Sequence, residues 1–138
     1  MPKISIIIPT YNESQHLPLL LSDLSIINER LEIIIVDCNS KDKTRDIAYI
    51  YRTNIYKSKK KSRGLQLNIG AKKAKGDWFI FLHADSRLSQ GWFKKVKTVI
   101  KEDENFIYFF KFKINNKKII YRFLEIIVNL RSFIFKNP

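Results

Sequence analysis

Two carboxylates and a histidine directly follow short apolar runs in this sequence, at points where β-strands would end. The run FIFL, residues 79–82, precedes His83 and Asp85, and the run EIIIV, residues 32–36, precedes Asp37. One carboxylate can accept hydrogen bonds from a base or a ribose, and another can ligate a hard divalent cation that neutralises phosphates. The pattern therefore predicts a site for a nucleoside diphosphate, with Asp37 on the nucleoside and Asp85 on the cation.

Each of these side chains also has a structural interpretation. Asp37 would be a capping acid for the following helix, but Asp42 is better placed for that cap, which favours a ligand role for Asp37. Asp85 would be an N-terminal cap or a turn former. A single histidine at a strand end, such as His83, is more often a hydrogen-bonded structural residue than a metal ligand. His16 has no partner at a useful spacing and is expected at the surface.

Polar residues also follow the first apolar run, in the segment PTYNE, residues 9–13. Tyr11 could stack on a nucleobase, but an aromatic residue after a strand more often packs in the core. Asn12 and Glu13 would equally serve to initiate a helix. This segment is therefore a second candidate part of the site.

A basic run, KSKKKSR, occupies residues 57–63. Its central residues, Lys59 to Lys61, are expected to form a solvated loop. Arg63 directly precedes a glycine and a helix, which places it better to meet a phosphate or a base.

The elements that would position these residues alternate between strands and helices. The apolar runs are short, rich in Ile and Val and almost continuous, as in parallel strands covered on both faces. The predicted strands lie at 3–9, 31–37, 53–58, 78–82 and 105–114, and the predicted helices lie within 13–30, 38–52, 63–77, 89–102 and 117–135. This order predicts a doubly wound α/β fold, a mostly parallel sheet with helices on both faces, in which ligands bind beyond the carboxyl ends of the strands.

Composition is that of one folded domain with an anionic partner. The chain has 138 residues, 45% of them hydrophobic, and a formal net charge of +13, which favours a nucleotide, nucleic acid or acidic lipid headgroups as partner. The single Cys38 excludes an internal disulfide and fits a reducing, cytoplasmic location. The first residues have the short apolar run of a strand and lack the features of a signal peptide.

Several protein classes are disfavoured by missing motifs. No GxGxxG follows the first strand and no GxxxxGK is present, which argues against dinucleotide oxidoreductases and P-loop enzymes. The basic residues are scattered and form no known motif for specific nucleic-acid binding. The apolar segment 119–135 is interrupted by Arg122, Glu125 and Arg131, so it is expected to pack on the sheet or to touch a membrane peripherally without spanning it.

Four motifs in register resemble a known family. SIIIPTYNE, EIIIVDCNSKDKT and SRGLQLNIGAKKAKGDWFIFLHADSRLSQGW have the order and spacing found in the inverting family 2 of the glycosyltransferases, which have the GT-A fold. RGLQLNIGA together with FLHADSRL resembles more narrowly a bacterial subgroup whose metal motif is His-Ala-Asp instead of Asp-x-Asp. The resemblance covers nearly the whole chain and implies transfer of a sugar, with inversion, from a UDP-sugar or GDP-sugar.

The resemblance also implies roles for individual residues. Thr10, Tyr11 and Asp37 would line the nucleoside pocket, with Asn12 and Glu13 beside them. Arg63 and Asn68 would lie near the base and the ribose. Asp85 would coordinate Mn²⁺ or Mg²⁺ that bridges the diphosphate, and His83, which replaces the usual acid, would bind a ribose hydroxyl or the metal.

One expected part of the family pattern is absent. The acid that deprotonates the acceptor lies downstream of the metal motif in this family, and here the only late acid is Glu125, which is expected on a helix surface. Residues 1–138 are therefore interpreted as one GT-A domain that retains its nucleotide-sugar-binding portion, truncated before its acceptor-binding portion. The alternative is a non-catalytic nucleotide-binding or nucleotide-sugar-binding remnant. The location expected is the cytoplasm, at the inner face of the membrane.

Overall fold

The computed structural model describes residues 3–102, together with residues 108, 110, 111, 113, 125 and 126. It divides into two compact units, residues 1–96 and 97–138, and the sheet lies entirely in the first. The elements are β1 (Ile4–Thr10), α1 (Leu17–Ser25), β2 (Glu32–Asp37), α2 (Thr44–Ile50), β3 (Asn54–Lys57), α3 (Arg63–Lys73), β4 (Trp78–Phe81) and α4 (Trp92–Glu102). Strands and helices alternate as the sequence predicts.

The four strands form one parallel sheet in the order β3-β2-β1-β4. The chain moves outward from β1 to β3 and then returns to the opposite side of β1 to form β4. Because crossovers between parallel strands are right-handed, this reversal places α1 and α2 on one face of the sheet and α3 on the other. The predicted fold class, an α/β sheet with helices on both faces, is confirmed.

The core follows from these two covered faces. All seven residues of β1 are buried, as a strand with helices on both sides requires. Ile7, Ile34 and Val36 form a cluster on one face, against which α3 packs Leu67 and Ile69. The residues of β1 on either side of Ile7 point to the opposite face of the sheet. On that face α1 buries four leucines: Leu17, Leu20, Leu21 and Leu24.

A glycine sets how closely α3 approaches the sheet. A methyl group added at Gly70 would lie 2.3 Å from Cγ2 of Ile7 and 3.3 Å from Cγ2 of Val36. A larger residue at this position would require the helix or the Ile7 side chain to shift. The close approach brings the start of α3 towards the carboxyl ends of β1 and β2.

The second half of the sequence is described only in part. The predicted strand 105–114 and helix 117–135 lie largely outside the described residues, although Glu125 and Ile126 are helical. Tyr108 and Phe110 are exposed and belong to no strand. The expectation that Glu125 lies on a helix surface is wrong, because the residue is buried. Within the described ranges, no helix has the length and apolar character needed to cross a membrane.

Candidate functional site

The loops that follow the four strands meet at one edge of the sheet. All the strands are parallel, so residues 11–16, 38–43, 58–62 and 82–91 leave the sheet on the same side. β1 and β4 flank the point at which the strand order reverses, which is where open α/β sheets bind ligands. The polar segments that follow the strands therefore share one edge, as the predicted parallel sheet requires.

Asp37 organises this edge from within. Its carboxylate accepts hydrogen bonds from Oγ1 of Thr10, at 3.0 Å, and from the backbone amide of Ser40, at 2.9 Å, and the Ser40 hydroxyl also donates to it. Asp37 is fully buried and bonds no amide of α2, so it is not the cap of that helix. Its contact with a nucleoside stays a prediction, whereas its role in joining β1 to the loop after β2 is observed.

Asn12 links the first loop to the second. Its backbone amide donates to the Ser40 hydroxyl at 2.9 Å, and its side-chain oxygen accepts from the amide of Lys41 at 2.8 Å. Asn12 has φ = 55°, a left-handed conformation that asparagine tolerates better than most residues. Its side chain therefore holds two loops of the site together and does not cap a helix.

Asp42 completes this connection at the start of α2. Its carboxylate accepts hydrogen bonds from the backbone amides of Thr44 and Ser14, both at 3.0 Å. The Thr44 hydroxyl in turn accepts a hydrogen bond from the backbone amide of Glu13 at 2.7 Å. Burial by itself would raise the pKa of Asp42, but the hydrogen bonds from Thr44 and Ser14 outweigh it and lower the pKa to about 2. The N-cap residue of α2 is Lys43, but Asp42 directly before it binds the first amide of the helix, so Asp42 and not Asp37 is the acid at this helix start.

Gln66 is a part of the site that the sequence analysis missed. Its side-chain amide donates to the carbonyl oxygens of Thr10, at 2.9 Å, and Val36, at 2.7 Å, and the residue is buried. It thereby ties α3 to the ends of β1 and β2. A signal was present, because Gln66 lies one helical turn before Gly70, on the face of α3 that must meet the sheet.

Most of the solvent-exposed side chains at this edge belong to residues other than the buried Asp37 and Gln66 described above. Tyr11 and Glu13 are partly exposed, and Arg63, Asn68, His83 and Asp85 are exposed. Thr10 is buried and contacts the interior carboxylate of Asp37. Among the predicted nucleotide-binding residues, Thr10 and Asp37 thus support the site from inside, and the others are accessible.

Two cationic side chains have partners that the sequence did not indicate. Lys59 to Lys61 are exposed, as expected for a solvated loop, and the ammonium group of Lys61 also lies 3.8 Å from the centre of the Tyr11 ring. His16, expected to lack a partner, has Nδ1 3.2 Å from a carboxylate oxygen of Glu13, although it is exposed as expected. A helical turn between residues 13 and 16 brings the second pair together.

The loop after β4 exposes two side chains that could bind a metal ion, His83 and Asp85. The amide of Ser86 donates to the carbonyl of His83 at 3.1 Å, and Ala84, inside this turn, is buried. His83 and Asp85, on either side of Ala84, are exposed. Neither side chain has a hydrogen-bond partner within the part of the chain that the structure describes. A hydrogen-bonded histidine and a capping acid are not observed there, whereas Asp85 does lie within the turn, as its turn-forming interpretation expects.

These residues fit a metal ion that is shared with a phosphate ligand. The described residues hold no group of three or more His, Cys, Asp or Glu side chains that could bind a metal ion by themselves. Mg²⁺ is commonly held by one or two carboxylates together with substrate phosphates and water, and such a site needs no larger protein cluster. Asp85, with His83 beside it, offers ligands of this kind.

An ion pair fixes the same loop to α1. Arg87 donates from Nε and Nη2 to the two carboxylate oxygens of Asp23, at 2.8 and 2.9 Å, and the amide of Leu88 also donates to Asp23 at 3.1 Å. The hydrogen bond from Arg87 is the main cause that lowers the pKa of Asp23. The sequence analysis assigned no role to this pair, because its members are 64 positions apart.

The fold is that of an α/β protein with a candidate ligand site at the carboxyl edge of its parallel sheet, and comparison with known proteins gives its family. The model of the Glycosyl transferase family 2 matches residues 5–137. The chain therefore belongs to family 2 of the glycosyltransferases.

Similar proteins and solved structures support this family assignment. An uncharacterized glycosyltransferase of Haemophilus influenzae is 33% identical over 110 residues, which are 76% of this chain and 37% of that protein. The crystal structure of TarS from Staphylococcus aureus superposes with a TM-score of 0.73 at 26% identity, covering 85% of this chain and 23% of that chain. TarS 1–349 in complex with UDP superposes with a TM-score of 0.62 at 28% identity, covering 72% and 32%. The chain thus spans about a third or less of the length of these relatives.

Proposed function

We propose that this chain binds the nucleoside diphosphate part of a nucleotide-sugar at the carboxyl edge of its sheet and serves its transfer, with inversion, to an acceptor. The observation that carries the proposal is the set of loops after β1, β3 and β4, which bring Tyr11, Arg63 and Asp85 to the edge at which the strand order reverses. The UDP complex of the related TarS supports a uridine nucleotide, and GDP is the alternative.

The residues of the edge divide into three groups in this proposal. Tyr11 stacks on the base, with Arg63 and Asn68 near the base and the ribose, and Glu13 beside them. Thr10 and Asp37 hold the loops around the nucleoside from inside, and the exposed Asn12 joins two of these loops. His83 and Asp85 form the third group, at the diphosphate. Residues 1–138 are in this view the nucleotide-sugar-binding portion of one GT-A domain.

Asp85 would hold Mn²⁺ or Mg²⁺, with His83 as a second ligand or as a donor to the ribose. Such an ion, when bound, neutralises the charge that develops on the leaving diphosphate. The protein's own part is to position the donor and to keep Asp85 pointing outward from the turn at Ala84. From the order His-Ala-Asp at residues 83–85 we infer that the chain belongs to the bacterial subgroup with that motif. We assign no general base.

Two further proposals concern partners and location. The net charge of +13 favours peripheral contact with anionic lipid headgroups. The one cysteine, Cys38, is buried and unpaired, as in proteins of a reducing compartment. We therefore place the protein in the cytoplasm, at the inner face of the membrane.

Calorimetry with UDP and GDP, with and without Mn²⁺, tests the binding proposal. We expect one nucleotide to bind, and Mn²⁺ to strengthen its binding. Asp85→Asn should abolish the gain from Mn²⁺, because the carboxylate that would ligate the ion is lost. Asp46→Asn makes the same change of charge at an exposed position of α2 and should leave the gain intact. The absence of binding by either nucleotide under all these conditions would overturn the proposal.

A further inference from the structure

One lysine of the basic run is directed at the candidate site. The ammonium group of Lys61 lies 3.8 Å from the centre of the Tyr11 ring, well within the distance of about 6 Å at which a cation is attracted to an aromatic face. Lys59 and Lys60 are exposed and make no such contact among the described residues. The run therefore contains one lysine that differs from its neighbours in position.

The backbone on both sides of Lys61 is fixed. The amide of Ser58 donates to the carbonyl of Asp37 at 2.8 Å, and the Ser58 hydroxyl donates to the carbonyl of Lys60 at 2.9 Å. The amide of Ser62 also donates to the carbonyl of Lys60, and Ser62 is the N-cap of α3. Ser58 is buried. The loop is thus anchored to the same buried aspartate that joins β1 to β2, and this anchoring holds the backbone from which the Lys61 side chain reaches Tyr11.

The contact occupies the aromatic surface on which a nucleobase would stack. A lysine ammonium is a compact charge on a flexible stem of four carbons, so it can leave the ring without a change in the backbone. A charge-assisted hydrogen bond to a phosphate is stronger than a cation–π contact at an exposed position. A ligand with both a base and phosphates therefore offers Lys61 a better partner than the ring that it gives up.

We propose that Lys61 distinguishes nucleotides from nucleosides: it covers the Tyr11 ring in the free protein and moves to the phosphates when a base stacks on that ring. The inference rests on the proposed nucleotide site and adds a recognition residue to it. A nucleoside must displace Lys61 without offering it a new partner, whereas a nucleoside diphosphate offers one.

The test compares uridine with UDP, both without metal, for the wild type, Lys61→Met and Lys60→Met. Methionine keeps most of the apolar stem and removes the charge. We expect Lys61→Met to lower the affinity for UDP by about tenfold, the loss of a hydrogen bond to a charged group. The affinity for uridine should be unchanged or rise by roughly two- to fivefold, because the ring is no longer covered. Lys60→Met should leave the ratio of the two affinities close to that of the wild type.

Each other outcome has a distinct meaning. Equal losses for uridine and UDP in Lys61→Met, or no change in either, would overturn the inference and leave the nucleotide site standing. The same change of ratio in Lys60→Met would also overturn it, since a general effect of positive charge would then explain the preference. A wild type that binds neither compound without metal overturns this inference, and the proposed function is overturned with it if UDP and GDP also fail to bind in the presence of Mn²⁺.

Discussion

The guanidinium group of Arg87 meets both carboxylate oxygens of Asp23, with Nε 2.8 Å from Oδ2 and Nη2 2.9 Å from Oδ1. Asp23 is on α1 and Arg87 follows the turn that presents His83 and Asp85. A bidentate pair of this kind fixes direction as well as distance. The loop after β4, which carries the candidate metal ligands His83 and Asp85, is therefore fixed to α1, the helix that follows the loop after β1.

Loss of this pair should loosen Asp85 more than the nucleoside pocket. We expect Arg87→Met and Asp23→Asn each to lower the apparent affinity for Mn²⁺ in the presence of UDP by about tenfold, as is usual when a residue that orients a ligand is lost. Binding of uridine without metal should not change. Titration of Mn²⁺ followed by electron paramagnetic resonance measures the first quantity, and calorimetry the second.

The control for this pair is Arg30→Met, which removes an exposed arginine that has no partner among the described residues. It should bind Mn²⁺ and UDP as the wild type does. If Arg87→Met weakened uridine and Mn²⁺ binding equally, the pair would support the whole unit and not the loop in particular.

Gln66→Leu should destabilise the fold, because it removes two hydrogen bonds between α3 and the strand ends while it keeps a side chain of similar size. At about 0.5–1.5 kcal/mol for each bond, we expect a loss of roughly 1–3 kcal/mol. Urea denaturation measures this loss. Lys72→Leu, at an exposed position of the same helix, should change stability by less than about 0.5 kcal/mol. Equal stabilities of Gln66→Leu and the wild type would show that the two bonds contribute nothing.

Two glycines of α3 should respond to alanine with opposite signs. Gly70→Ala places a methyl group 2.3 Å from Cγ2 of Ile7 and should cost about 1–3 kcal/mol through overpacking. Gly64→Ala finds no atom within 4 Å and should stabilise the protein by up to about 1 kcal/mol through helix propensity. Thermal and urea unfolding of both variants measures these two changes in the free energy of unfolding. A stabilising Gly70→Ala would mean that α3 is farther from the sheet than this structure has it.

The hydrogen bonds to Asp42 should make stability depend on acid pH in a defined window. Its pKa is lowered from 3.8 to about 2 in the folded state, so the stabilisation is complete above pH 3.8 and is lost as the pH falls towards 2. Asp42→Asn should therefore be less stable than the wild type at pH 6, and the difference should vanish near pH 2. Urea denaturation across this range measures it, with Asp46→Asn as the matched control. A difference that stays constant with pH would show that ionisation of Asp42 is not the cause.

Much of the fold was already determined by the order of the residues. The continuous Ile and Val runs of β1 and β2 are typical of strands buried on both faces, and the apolar spacing of Leu17 to Leu24 is typical of a helix with one covered side. Parallel strands then bring the segments after Thr10, Asp37 and Phe81 to one edge, whatever else they do. Fold class and the location of the site therefore followed from local pattern and topology.

The tertiary structure decided what the individual side chains at that edge do. Whether Asp37 faces a ligand or the interior depends on Thr10, 27 positions earlier, and the pairing of Arg87 depends on a helix 64 positions away. Gln66 and Lys61 acquire their partners only when α3 and the loop before it pack beside β1. Hydrophobic periodicity is a local property of the chain, whereas a hydrogen bond requires two atoms within about 3 Å, and only the packed fold brings such distant residues together.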